Sequence, residues 1–477
     1  MRPHALLCLL LASPLLSPVA RGAEVNGYVE SRTQYTRSRV DGVLPTSGQP
    51  EVQQLFEFNG QLRHEYQPGG VVSADLSLFL SMAGRYRSLN AEQQEVGVRP
   101  TEEAAAQPIA SINELFLQHE FAPAFNVLAG KKRLIWGAGL AYNPTDLLNP
   151  LKDPTDPTFQ RAGAWMVRLE VPLEKYAFTL LASPAVTEQV SGLPRSILTY
   201  PSWDKRDDEL HYLIAARAYA LVLDADVNLM LFHSNLYRNA FEDKTQLGFS
   251  FSRYFFTDYE LHVEALVGSG SPRLYAAPDC VASPEAALGC AERGADFLVP
   301  RRIDEGRIRP QLLAGTRYMF SDESMVSLEY LYQADGLKKA EAQDYLNGLS
   351  LLRAGEQFGL DPSRIGFGGA DPGLPQKFSF EPITRHYAFL SFQKPKIRDD
   401  FTFSVVLVSS LQDLSGLVSP SLAWSAKEWL TLTLSAFVPY AGPRSLAAKR
   451  PGTGEAVSEF SLLPLQYRGL FQARIFY

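Results

Sequence analysis

Three ionisable side chains, Glu260, His262 and Glu264, stand at every second position of "YELHVEALVG". A carboxylate, an imidazole and a carboxylate on one side of an extended chain could move protons or ligate a metal. The same row also fits a histidine ion-paired between two structural carboxylates. "LFHSN" offers His233, Ser234 and Asn235, residue types used by hydrolases. Adjacent residues of a strand point to opposite faces, so His233 and Ser234 are poorly placed to share a site. Asp146, Asp153 and Asp156 fall in a turn-rich stretch whose oxygens would suit calcium, but their spacing follows no regular ligand pattern. No glycine-rich phosphate loop lies between a strand and a helix. No catalytic residue, metal or cofactor is therefore assigned, and a hydrolase is the weakest functional reading of these residues.

These residues must be carried by regular elements, and the elements alternate. In "EVQQLFEFNGQLRHEY", Phe56, Phe58, Leu62 and Tyr66 share one face, and Glu57, Asn59, Gln61, Arg63 and Glu65 the other. "VVSADLSLFLSMA", "KTQLGFSFSRYF" and "EWLTLTLSAFVPY" repeat the rhythm. A period of two over ten or more residues means strands with two unlike faces. Soluble strands run to ~5–6 residues, whereas a membrane-crossing strand needs ~9–11. The chain has 477 residues, 46% hydrophobic and 20% charged, which excludes a disordered polypeptide. Its net charge of -7 supplies no basic excess for nucleic acid.

The first residues, "MRPHALLCLLLASPLLSPVARGAEV", have the layout of a secretory signal: a basic start, a short apolar run broken by Pro14 and Pro18, then small residues. Removal of residues 1–23 would take Cys8 with it and leave a single domain over 24–477. In an exported chain the remaining Cys280 and Cys290 are most simply a disulfide. No later run of about 18 apolar residues provides a transmembrane helix.

The alternation predicts about 18 strands: 24–35, 52–66, 71–84, 111–121, 124–135, 161–171, 174–183, 209–220, 222–235, 244–255, 258–269, 307–320, 323–334, 383–394, 400–410, 417–426, 429–439 and 465–477. Losing one hairpin would leave 16. Links after even strands are tight; most links after odd strands are long. That is the layout of an up-and-down antiparallel transmembrane β-barrel, all-β, with long extracellular loops and short periplasmic turns. A sandwich would have shorter strands and an apolar interior.

Over almost its whole length the chain resembles bacterial outer-membrane β-barrel proteins of porin-like type. Its end, "LQYRGLFQARIFY", with Phe471, Ile475 and Tyr477 on one face, looks like the closing-strand signal that outer-membrane assembly machinery reads. Gly469 interrupts that face. "WGAGLAYNPTDLLNP" resembles a loop motif of poorly characterised barrel families. The resemblance implies an integral protein of a Gram-negative outer membrane, with membrane lipid, the assembly machinery and small polar solutes as partners.

If the apolar face meets lipid, the other face lines a lumen. The expected pore-lining residues are Glu57, Arg63, Glu65, Asp75, Glu114, Asp224, Asp226, Glu260, His262, Glu264, Arg307, Arg309, Arg317, Arg468 and Arg474. Arcs of opposite charge would set up a transverse field; alternatively they pair along the wall. Repeated Asn-Pro and Asp-Pro turns give the loop after the fifth strand one defined shape. Trp136, Asn143, Asp146 and Asn149 are its candidate constriction residues. The segment 335–382, with Leu337, Ala340, Tyr345, Leu349 and Leu352 at helical spacing, is a second candidate. The expected function is passive diffusion of small polar solutes, without cofactor. The alternative is a receptor, adhesin or surface-structure partner with an occluded lumen.

Overall fold

The computed structural model describes residues 23–38, 52–86, 98–100, 107–121, 125–149, 163–184, 212–235, 244–269, 307–342, 383–443 and 465–477. Shorter pieces are described at 274–281, 286, 289–290, 298–300, 344, 446, 448–449 and 456–462. Residues 1–22, and with them the leader segment up to its last residue, lie outside these ranges, as do Asp153 and Asp156 and most of 335–382, including Tyr345, Leu349 and Leu352.

The alternating stretches form strands β1 (Ala23–Ser38), β2 (Val52–Gln67), β3 (Gly70–Tyr86), β4 (Gln107–Phe121), β5 (Phe125–Lys132) and β6 (Ala164–Pro172). They continue as β7 (Tyr176–Pro184), β8 (Tyr212–Val222), β9 (Ala225–Ser234), β10 (Lys244–Phe255), β11 (Tyr259–Ser269) and β12 (Ile308–Met319). The circuit ends with β13 (Met325–Gln333), β14 (His386–Ile397), β15 (Phe401–Ser410), β16 (Gly416–Lys427), β17 (Leu430–Tyr440) and β18 (Leu465–Phe476). Each pairs antiparallel with its neighbour in sequence, and Val98–Pro100 adds a short ladder on β3. The barrel thus has 18 strands, not 16.

β1 closes on β18, with Glu30 opposite Arg474 and Val29 opposite Ile475. Inside that seam Glu30, 1% exposed, accepts from Arg32 (2.8 Å), Arg474 (2.6 Å) and Gln472 (2.5 Å). Charge-assisted bonds from both end strands therefore meet on one carboxylate.

The outward face is an apolar surface. Leu76, Leu78, Leu117, Val167, Leu180, Leu229, Leu247, Leu328, Leu434 and Phe471 are all exposed. On a closed barrel that band is the surface a bilayer needs, since it leaves no unpaired sheet edge in hydrocarbon. Aromatic clusters mark the strand ends: Tyr66, His119, Phe121 and Phe125 at the turn end, and Tyr330, Tyr332 and His386 at the loop end. Tyr477 is 65% exposed, in keeping with an interfacial position.

The inward face departs from the expected polar lining. Toward the loop end it carries Leu128, Met166, Leu181, Leu213, Phe232, Leu266, Leu313, Leu331, Phe389, Val408 and Leu417, all buried. Polar wall residues dominate nearer the turns and along β1, where Arg32, Gln34 and Thr36 continue the row from Glu30 toward the loop end. The apolar half is covered because chain folds back into the barrel and packs on it.

Candidate functional site

The segment after β5, Arg133 to Asn149, enters the barrel and joins two apolar clusters of the wall. Trp136, with Leu134 and Leu148 against it, packs with Leu181, Leu213, Ala215, Met230, Phe232 and Leu266 on β7–β9 and β11. Ala141, flanked by Leu140 and Tyr142, packs with Leu313, Leu331, Tyr387, Phe389 and Val406 on β12–β15. Burying each such side chain contributes about 1.5–3 kcal/mol, which favours the inward position over a loop held in solvent.

Polar groups then set its height. Backbone N–H groups brought inside must find acceptors. Glu264 of β11 accepts from Ala138 N–H (2.6 Å), Gly139 N–H (2.7 Å), Thr145 N–H (3.3 Å) and the Thr145 hydroxyl (2.8 Å). Glu329 of β13 accepts from the N–H groups of Leu140, Ala141 (2.9 Å) and Tyr142 (3.4 Å). Both carboxylates are almost wholly buried.

His262 joins the two supports. Its Nε2 lies 3.2 Å from Glu329 and its Nδ1 3.5 Å from Glu260, which Arg317 meets at 3.1 Å. The row Arg317–Glu260–His262–Glu329 thus runs from near the turn end up to the loop. Gly315 makes it geometrically feasible. It lies between His262 on β11 and Glu329 on β13 in the ladder, and a Cβ there would overlap His262 Nε2.

The loop holds its own shape. Asn149 donates to Leu134 O (2.6 Å) and to Asp146 (2.7 Å), and Asn143 donates to Trp136 O (3.3 Å). The Asp146 carboxylate is occupied in this turn. Among the described residues no group of three His, Cys, Asp or Glu is arranged to hold a metal.

The structure separates the expected pore-lining residues into groups. Glu57 and Asp75 face inward but are hydrogen-bonded, Glu57 by Ser77 and Tyr28 (both 2.8 Å) and Asp75 by Asn59 (2.6 Å) and Asn113 (3.0 Å). Glu114 accepts from Arg133 N–H (2.8 Å). Glu30, Glu170 and Glu260 are paired with arginines, so wall pairing absorbs much of the charge. Arg63 and Glu65 are exposed at the turn end of β2. Arg309 and Arg317 are on the inward face of β12, and Arg307 immediately precedes that strand. Arg468 and Arg474 are inward on β18, with Arg468 over the Phe437 ring.

Asp224 is a correction: it is not a wall residue. With Leu223 it makes the two-residue turn between β8 and β9, at φ 60 and 52°. A hairpin turn of this kind demands positive φ at both positions, which aspartate tolerates. Asp226 lies two residues on, accepting from Tyr219 (2.6 Å). Cys280 and Cys290 are joined as a disulfide. His233 is on the outward face beside Tyr212 and Thr245, away from Ser234's inward face.

A second segment also turns inward. Phe460 joins the apolar cluster of β12–β16. Glu459 accepts from Ile383 N–H (3.0 Å), the Thr384 hydroxyl (2.8 Å) and the Tyr387 hydroxyl, while Asp413 accepts from Glu459 N–H (2.6 Å). Sequence patterning did not reveal this contact, because 456–462 has no alternation. Burial, with Asp413 beside it, pushes the Glu459 carboxyl above its ordinary value. An acid raised on docking favours docking at low pH and loses that contribution as pH rises through the raised value. Amide exchange of 456–462 is therefore expected to be slower at pH 4 than at pH 8. Equal rates, after correction for intrinsic exchange, would remove Glu459 as the controlling group.

No protein-family model and no curated protein matches the chain. Solved structures do. It is similar to Pseudomonas aeruginosa OpdK with vanillate, at 8% identity and a TM-score of 0.50, over 95% of this chain and 98% of that one. It is also similar to Pseudomonas aeruginosa OccK8 (OprE), at 9% identity and a TM-score of 0.47, over 95% and 97%. A mutant of Rh. blastica porin aligns at 10% identity and a TM-score of 0.40, over 95% and 100%. At such identities the likeness is one of fold.

Proposed function

We propose that the chain is a porin-like outer-membrane channel through which small polar solutes diffuse passively, with the segment after β5 setting its aperture. One observation carries this reading: inside an 18-strand barrel, too wide for wall side chains to fill, a loop is tied to the wall by Glu264 and Glu329 at mid-height. A wall that only had to be plugged would not need two buried carboxylates to fix one loop at one level. The fold likeness to OpdK, captured with vanillate, supports the reading. The tight turns then face the periplasm and the long links the exterior. The leader at 1–23 and the closing strand ending at Tyr477 are the expected export and assembly signals.

A receptor or adhesin with an occluded lumen is the second reading. The apolar packing of Trp136, Tyr142 and Phe460 within the barrel favours it. Reconstitution into planar bilayers separates the two. Stepwise conductance is expected; its absence from a correctly folded, heat-modifiable protein would transfer the function to the outer loops.

A further inference from the structure

We propose that the inward face of β7 and β8, under the loop, is a binding subsite for a small oxyanion, with Arg217 as its anchor. The inference deepens the channel reading by naming a class of solute, and it rests on that reading for its physiological meaning only. Arg217 points inward from β8 and, among the described residues, has no carboxylate within ion-pair distance. Its guanidinium lies against two aromatic rings, 5.8 Å from the centroid of Trp136 and 6.0 Å from that of Tyr219. This contrasts with Arg32, Arg168, Arg317 and Arg474, each committed to a wall carboxylate.

Two further groups adjoin it. Thr179 is directly opposite Arg217 in the β7–β8 ladder, 4% exposed, and among the described residues its hydroxyl has no hydrogen-bond partner. Among the described residues, the indole N–H of Trp136, 1% exposed, has no acceptor, and Arg217 Nε is likewise unmatched. Two unmatched donors beside a partly exposed cation whose own Nε is unmatched are a costly arrangement in a folded interior. An oxyanion is the ligand that satisfies such groups, because it is acceptor-only and favours a guanidinium fork. The neighbouring carboxylate that would oppose it, Glu170, lies across the ladder from Thr179 and is held by Arg168 at 3.3 Å. Thr179 and Trp136 are buried and Arg217 is partly exposed, so the guanidinium is the group an incoming anion meets first. Carboxylate and phosphate share this chemistry.

The test uses the full-length protein in detergent, titrated with sodium benzoate and, separately, with inorganic phosphate at constant ionic strength. Trp136 emission is obtained by subtracting the Trp136→Phe protein. A saturable change is expected with one or both anions, and neutral benzamide should produce none. Arg217→Gln should raise the half-saturating concentration at least about tenfold, the loss of one charge-assisted contact, and Arg217→Lys should recover part of it. Thr179→Val reports the second donor by a smaller rise. Response to benzoate alone identifies an organic carboxylate, and response to phosphate alone an inorganic anion. No saturable Trp136 signal with either, or one unchanged in Arg217→Gln, overturns the subsite. Bilayer recordings on the same preparations judge the channel reading independently, so the two can fail separately.

Discussion

Replacing Glu329 by alanine is expected to destabilise the protein by about 3–5 kcal/mol, the cost of removing one partner from a buried charged constellation. The carboxylate has four clients: the N–H groups of Leu140, Ala141 and Tyr142, and the ring of His262. The three N–H groups lose their acceptor at once, and His262 keeps only Glu260. Glu329→Gln keeps the volume and one acceptor oxygen, so its cost should be smaller but still measurable. Denaturant unfolding in detergent measures both. A midpoint for Glu329→Ala equal to that of the parent would mean that the loop is not supported from β13. In bilayers the same variant should open to a broader range of conductance levels, since the loop keeps Glu264 but loses its second support.

Gly137→Ala should release the loop while leaving the barrel intact. Gly137 has φ +96°, and left-handed backbone alone costs a side-chain-bearing residue about 1–2 kcal/mol. A Cβ there would also stand 2.5 Å from Glu264 Oε1 and 2.7 Å from the Thr145 hydroxyl, inside the contact that fixes the loop. Neither the carboxylate nor the loop backbone can retreat without giving up hydrogen bonds. The expected outcome is a larger unitary conductance, red-shifted Trp136 emission, faster proteolysis near 134–149 and a lower unfolding midpoint, because the released loop uncovers the apolar wall. Gly469→Ala is the control, because nothing lies within 4 Å of the added carbon. Equal behaviour of the two variants would show that the loop tolerates a side chain at 137 and is not held by close approach to Glu264.

Much of the architecture is legible in the sequence. The tail "LQYRGLFQARIFY" alternates because Tyr467, Phe471 and Ile475 face outward while Arg468, Gln472 and Arg474 face inward, and the structure keeps that division. The turn at Leu223–Asp224 is hidden from the alternation. A period of two carries straight through a two-residue hairpin, so Asp224 reads as a wall residue when it is a turn residue. The apolar inward residues show another. Phe232, Leu313 and Phe389 break the polar inner rhythm, and nothing local says which chain segment covers them.

The strand class, the direction of each face, the tight and long ends and the closing strand follow from the sequence alone. Strand period and link length are local properties, read within ten or twenty residues. The seat of the loop was decided only in three dimensions. Glu264 binds Ala138 across 126 residues and Glu329 binds Ala141 across 188. Whether the row Glu260, His262, Glu264 does chemistry or supports a loop depends on register around the barrel, on the gap left by Gly315, and on the burial those neighbours impose. No periodicity within one strand contains that information, because each partner belongs to a different part of the chain.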